Sequence, residues 1–263
     1  MNILLNGISG YMGREVAKLC LEGYRGAELM LGVDPCGEAM GEIPVYTSLD
    51  EVISTDGVDC IIDFSHHAVT PALLDFAVAN RLPLVLCTTG QDDEEIAQIH
   101  RAAEHIPLFY SGNMSVGVAL LIELAKATAA AFPEAEIEII EKHHDRKVDA
   151  PSGTALMLAN AICESRPDAY VNCGRSGQGK RTSSEIGIHS IRMGNIVGEH
   201  EVIVATKNQT ISLKHEAHSR ALFAEGAIAA ADFLVNQPCG LYDMRNMLSA
   251  GRADDAVIST KIN

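Results

Sequence analysis

Residues 2–13 read Asn2-Ile3-Leu4-Leu5-Asn6-Gly7-Ile8-Ser9-Gly10-Tyr11-Met12-Gly13. The first five are a short apolar-centred run, the pattern of a buried strand. Three glycines follow at G-x-x-G-x-x-G spacing, a relative of the dinucleotide fingerprint with its first interval lengthened. A helical pattern then runs over residues 11–22, with Met12, Val16, Leu19 and Cys20 on one face. Strand, glycine turn and helix in that order let the backbone approach a pyrophosphate and aim a helix N-terminus at it. Asp34 ends the next strand, Leu29 to Val33, about 20 residues on, where an acidic side chain accepts from the adenosine ribose hydroxyls. The plainer reading, a glycine turn that only packs helix on sheet, competes with this one.

Outward from that unit the rhythm repeats. Apolar runs at Cys60–Phe64, Leu84–Cys87 and Leu108–Tyr110 alternate with helical patterns near 70–80 and 92–104. Continuous rather than alternating apolar strands predict a parallel sheet buried on both faces. From residue 115 the pattern changes. A long Ala/Leu-rich helix runs to Phe132, Glu136–Glu141 alternates as a half-exposed strand, and a helix covers 152–164. Strand patterns follow at 186–193, 199–206 and 209–215, and an Ala-rich helix at 219–235. The fold class is α/β: a Rossmann-like parallel-sheet nucleotide domain with a second α+β domain built on a mixed sheet.

Two loops follow strands of the first region, Thr88-Thr89-Gly90 and Ser111-Gly112-Asn113-Met114. Ligands of open α/β sheets bind at such strand ends. Asp34 is followed by Pro35 rather than a cation. A 2′-phosphate would meet a carboxylate there, so NADH should serve at least as well as NADPH.

The second chemical signal is Glu141-Lys142-His143-His144-Asp145-Arg146-Lys147-Val148-Asp149-Ala150-Pro151-Ser152-Gly153-Thr154-Ala155. Two imidazoles, a guanidinium and an amine stand just before a Pro-Ser-Gly-Thr turn that opens a helix. Ser152 is a good N-cap, and a carboxylate suits the amides behind it. Histidine is the natural proton donor near neutral pH. A single packed or solvated imidazole needs no function; the whole run is hard to explain without one.

The chain has 263 residues, 47% hydrophobic and 21% charged, with a formal charge of −15. That balance speaks against nucleic acid as a partner. Seven scattered cysteines without C-x-x-C predict a reducing compartment, and no apolar run suits a membrane span. A cytoplasmic location follows as the expectation. Ten histidines raise metal binding, but neither H-E-x-x-H nor a cysteine-bearing zinc pattern occurs, so no metal is expected.

The chain resembles the 4-hydroxy-tetrahydrodipicolinate (dihydrodipicolinate) reductases of lysine and diaminopimelate biosynthesis over nearly its whole length. The resemblance rests on Gly7 to Gly13, Asp63-Phe64-Ser65, Thr88-Thr89-Gly90, Asn113 to Gly117, the Glu141 to Ala155 run, Gly194 to His200, and Gly240 to Arg245. It implies NAD(P)H-dependent reduction of a small cyclic imine dicarboxylate, and a homotetramer. It implies a nucleotide domain of residues 1–114 plus 225–263 and a substrate and oligomerisation domain of 115–224. By position, His143 and Lys147 match the catalytic proton donors, and His144, Gly153 and Thr154 the substrate contacts. Gly7, Ile8, Ser9, Gly10, Tyr11, Met12, Asp34, Thr88, Thr89, Gly90, Ser111, Gly112, Asn113 and Met114 match the cofactor contacts. Cys87 stands where glycine often precedes Thr-Thr-Gly, and Met114 where phenylalanine is frequent; both touch the expected nicotinamide pocket. Two other readings compete: a different two-domain imino-acid or amino-acid dehydrogenase, and a non-catalytic NADH-binding sensor.

Overall fold

The computed structural model describes residues 1–37 and 40–250. Residues 251–263, the end of the segment assigned above to the nucleotide domain, lie outside the described residues. In chain order the elements are β1 (Asn2–Asn6), α1 (Tyr11–Leu21), β2 (Glu28–Val33), β3 (Val45–Tyr46), β4 (Cys60–Asp63), α2 (Thr70–Asn80), β5 (Leu84–Leu86), α3 (Asp93–Ala103) and β6 (Pro107–Tyr110). They continue as α4 (Val116–Ala131), β7 (Glu136–His143), α5 (Gly153–Glu164), β8 (Tyr170–Cys173), β9 (Glu185–Arg192), β10 (Gly198–Ala205), β11 (Thr210–Ala217), α6 (Ala221–Leu234) and β12 (Gly240–Tyr242). The chain forms two compact units, Met1–Ser115 with Ala221–Asn263, and Val116–Arg220.

The first unit holds a parallel sheet in the order β12-β6-β5-β4-β1-β2-β3. Ile3, Leu4, Leu5, Ile61 and Ile62 are fully buried, as two-sided coverage demands, each worth about 1.5–3 kcal/mol of burial. Helix α6 packs on α1 and on strands β4 to β6. Helix α3 starts with a reciprocal capping box between Asp92 and Glu95, which marks its first turn sharply.

The second unit is a mixed sheet in the order β11-β10-β7-β9-β8, parallel across β7, β9 and β8 and antiparallel at β10 and β11. Helices α4 and α5 pack on each other, α4 also on β10 and β11 and α5 on β7. Their aliphatic core contains Ile137, Ile139, Leu158, Ile162, Ile186, Ile188, Val202 and Val204.

Two differences from the sequence reading matter. Strands β3, β8 and β12 were not foreseen. They have two, four and three residues and lie at sheet edges, so pairing with a formed neighbour defines them. Strand β7 runs on to His143 instead of stopping at Glu141, because Lys142 and His143 pair with Ile191 and Arg192 of β9. Among the described residues, no helix is long and apolar enough to cross a membrane.

Candidate active site

In the first unit, β1 delivers the chain into its glycine turn. Gly7 has φ +81°, and a Cβ there would lie 2.5 Å from the Phe64 carbonyl oxygen. A Cβ at Gly13 would lie 2.8 Å from Ile8 Cα and collide with the Gly7 carbonyl oxygen. Glycine at both places lets loop, helix and β4 meet. Beside the turn is a cavity of about 780 Å³, lined by Gly7, Gly10, Asp34, Pro35, Asp50, Phe64, His66, Asp75 and Phe76 among others. That volume suits a large organic ligand. Asp34 accepts from the Ser9 amide at 3.1 Å and the Cys36 amide at 3.0 Å. A carboxylate has about four acceptor sites, so ribose hydroxyls can still be served.

Behind this turn Asp63 is fully buried at the end of β4. It accepts from Asn6 Nδ2 at 2.7 Å, Ser65 Oγ at 2.6 Å and Thr88 Oγ1 at 2.6 Å. Burial pushes its carboxyl up, and these donors only partly offset that. Asp63 thereby ties the end of β1 to the loops after β4 and β5.

In the second unit the covered face of the sheet changes chemistry halfway along. Alternation puts Ile137, Ile139, Glu141 and His143 of β7 on one face. The register aligns Ser190 and Arg192 of β9 with Glu141 and His143, and His200 of β10 with Glu141. His215 of β11 aligns with His200. One end of that face is therefore aliphatic and the other polar. Arg192 donates to both Glu141 oxygens, at 2.8 and 2.7 Å, and to the Asp149 carbonyl at 2.6 Å. His143 Nδ1 lies 2.6 Å from Glu141 Oε2. The Ser152 amide donates to Glu141 Oε1 at 3.1 Å, and Ser152 Oγ accepts from the Ala155 amide at 3.2 Å as the N-cap of α5. His200 Nε2 lies 3.0 Å from Ser152 Oγ, and its ring meets that of His143 edge-on at 5.1 Å.

Burial raises the Glu141 carboxyl, but hydrogen bonds from Arg192, Ser190, His143 and the Ser152 amide outweigh it and hold the pKa at about 2. Burial lowers His143 despite Glu141, and Lys147 and Arg192 add to the lowering. Burial pushes His200 down to about 4, helped by His143. The sign for stability follows. Below its ordinary 6.5 the unfolded chain protonates His200 while the folded chain refuses the proton until about 4. Folding stability is therefore lost as pH falls through that window, by about 3 kcal/mol from this group. Urea unfolding of the second unit between pH 7 and 4.5 checks this; His200→Gln should flatten the loss, and an unchanged slope would refute it.

The comparisons with known proteins bear on what such a site belongs to. Residues 1–114 match the family model described as dihydrodipicolinate reductase, N-terminus, and residues 117–248 its C-terminus counterpart. The chain belongs to the dihydrodipicolinate reductase family. It is a nicotinamide-dependent oxidoreductase. Similar proteins include the 4-hydroxy-tetrahydrodipicolinate reductase of Caldanaerobacter subterraneus, 42% identical over 95% of this chain and 99% of that one. That of Clostridium tetani is 42% identical over 95% of this chain and 98% of its own. Among solved structures, a dipicolinate-bound dihydrodipicolinate reductase from a Paenisporosarcina species matches with TM-score 0.79 and 27% identity, over 92% of this chain and 97% of that one.

Within this reductase fold the expected site residues are placed as follows. Gly7, Gly10 and Asp34 line the cavity. Ile8 is buried and Tyr11 exposed; the Ser9 amide is held by Asp34, and Met12 lies in the first turn of α1. Thr88 turns its hydroxyl inward to Asp63, while Thr89 and Gly90 are exposed after β5. Ser111 and Asn113 bond to each other after β6, with Gly112 exposed and Met114 buried. His143 is in the polar cluster, and Lys147 pairs with Asp149 at 2.8 Å. His144 Nδ1 is buried without a hydrogen-bond partner among the described residues. Gly153 and Thr154 open α5, and a Cβ at Gly153 would enter open space. Among the described residues no three His, Cys, Asp or Glu side chains form a metal-binding group.

Sequence reasoning did not single out Arg192, His200 or Asp63 as site residues. Asp63-Phe64-Ser65 and Gly194 to His200 carried the resemblance without a role. Arg192 had no signal of its own, since only the parallel register of β9 on β7 brings it to Glu141.

Proposed function

We propose that this chain reduces 4-hydroxy-tetrahydrodipicolinate to tetrahydrodipicolinate with NADH or NADPH, in lysine and diaminopimelate biosynthesis. The observation that carries the reading is the His143–Glu141–Arg192 cluster beside the start of α5. A proton-bearing imidazole beside a helix start, where backbone amides and the helix dipole favour anions, supports that reading. Gly7 to Met12, Asp34, Thr88 to Gly90 and Ser111 to Met114 would hold the dinucleotide, and the glycine contacts and open cavity fit it. When bound, that cofactor supplies the hydride. The substrate's 4-hydroxyl leaves as water to give the conjugated imine; hydride added at C4 would leave electron density on the ring, and His143 would deliver the proton that settles it, with Lys147 as second donor. Gly153 and Thr154 at the helix start hold one substrate carboxylate. His144 and Lys147 hold the other. Residues 115–224 would bind substrate and form a homotetramer, and 1–114 with 225–263 the nucleotide domain. Seven free cysteines fit a reducing cytoplasm.

For the cofactor, Asp34, Asp50 and Asp75 all line the cavity, and no lysine or arginine does among the described residues. A 2′-phosphate would add about two negative charges beside them. Initial rates of nicotinamide oxidation with the cyclic imine test both statements together. The expected result is turnover with kcat/KM for NADH at least equal to that for NADPH. A tenfold preference for NADPH would overturn the cofactor reading, and no turnover with either would overturn the function.

A further inference from the structure

Three elements converge on Glu141: β9 through Arg192, the start of α5 through Ser152, and the end of β7 through His143. The carboxylate is fully buried, and the guanidinium grips both of its oxygens. Such a bidentate pair keeps the carboxylate ionised and fixed in plane. An ionised carboxylate only accepts hydrogen bonds. The 2.6 Å contact therefore requires a proton on His143 Nδ1 in both the charged and the neutral ring. The proton that comes and goes then belongs to Nε2. That atom faces β10, where a Cβ added at Gly198 would lie 3.1 Å from it.

We infer that Glu141 and Arg192 are a positioning pair that fixes the His143 ring so that Nε2 transfers the proton, and that Gly198 leaves room at that atom. The inference rests on the reading of His143 as proton donor. The groups facing the ring are Glu141 on β7, Lys147 in the following loop, Arg192 on β9 and His200 on β10. Arg192 offsets the charge of Glu141. The pair therefore orients the ring without making it markedly more basic, which separates it from an unpaired carboxylate behind a histidine.

Imidazole nitrogen NMR on the full ¹⁵N-histidine-labelled chain tests the tautomer without any turnover. Above the titration of His143 the expected signals are a protonated Nδ1 and a bare Nε2. A bare Nδ1 overturns the inference. Gly198→Ala should keep that tautomer, lower kcat about tenfold or more and leave KM for NADH within about threefold. Unchanged kcat would remove Nε2 from the role. Glu141→Gln should mix the tautomers, displace the pH profile and lower kcat by about 10²-fold. An unshifted profile with one tautomer retained would count against the pair. Should that variant not fold, the wild-type spectrum and Gly198→Ala still decide. If instead His143→Ala keeps its turnover while Nδ1 is protonated, the donor reading fails and the tautomer assignment stands.

Discussion

Replacing His143 with alanine is expected to lower kcat by about 10²–10⁴-fold while leaving the NADH dissociation constant within about threefold. The lower bound is general acid help that water supplies poorly; the upper bound adds the loss of a pre-oriented ring. Little destabilisation beyond a truncated half-polar side chain is expected, because Glu141 keeps Arg192 and the Ser152 amide as partners. NADH affinity should hold, since the glycine turn, Asp34 and the cavity belong to the other compact unit. The chain has no tryptophan, so nucleotide fluorescence or calorimetry is the suitable binding readout. A drop confined to KM for the imine would reassign His143 to carboxylate binding. Turnover within threefold of wild type would end its role in proton transfer.

The first half of the fold was legible because its strands carry their own signal. β1, β4 and β5 are buried on both faces, so each reads as an unbroken apolar run between turn residues. The glycine spacing fixed the start of α1, since the close approach of backbone at Gly7 and Gly13 admits no other residue cheaply. Edge strands β3 and β12 have no such signature. Their few residues become a strand only when a finished neighbour offers its ladder.

The candidate site was legible where it is local and illegible where it is built by register. Residues 141–155 announce themselves as charge and imidazole density before a cap. Arg192 is far along the chain and looks like an ordinary strand-end arginine, yet it grips the carboxylate behind His143. His200 sits in an alternating strand where its neighbours Val202 and Val204 are core, so periodicity alone would make it a buried filler. Thr88 is a third case. It lies after β5 among the expected cofactor contacts, and its hydroxyl donates to the buried carboxylate of Asp63, a partner that no local pattern announces, while Thr89 and Gly90 are exposed.

Gly13→Ala should weaken NADH binding by about 100-fold, equivalent to about 3 kcal/mol, with the second unit unaffected. The new Cβ would sit 2.8 Å from both Ile8 Cα and the Ile8 carbonyl oxygen, and would press on the Gly7 carbonyl oxygen. All three atoms are backbone, so no side chain can rotate away. Relief needs either α1 to slide from β1 or the turn to open. Helix α1 is held by α6, and Val16 and Ala17 are buried on its inner face. The turn is therefore what moves, and with it go the amides that a pyrophosphate needs. Ala is otherwise a better helix former than Gly by about 1 kcal/mol, so a gain in stability would show that the contact relaxes harmlessly. Gly179→Ala is the matched control: nothing lies within 4 Å of its added Cβ, and it should change neither affinity nor the unfolding midpoint. Calorimetric titration with NADH, together with urea unfolding of both variants, separates a distorted turn from a generally weakened fold. Wild-type affinity in Gly13→Ala would mean that the cofactor does not lean on this turn.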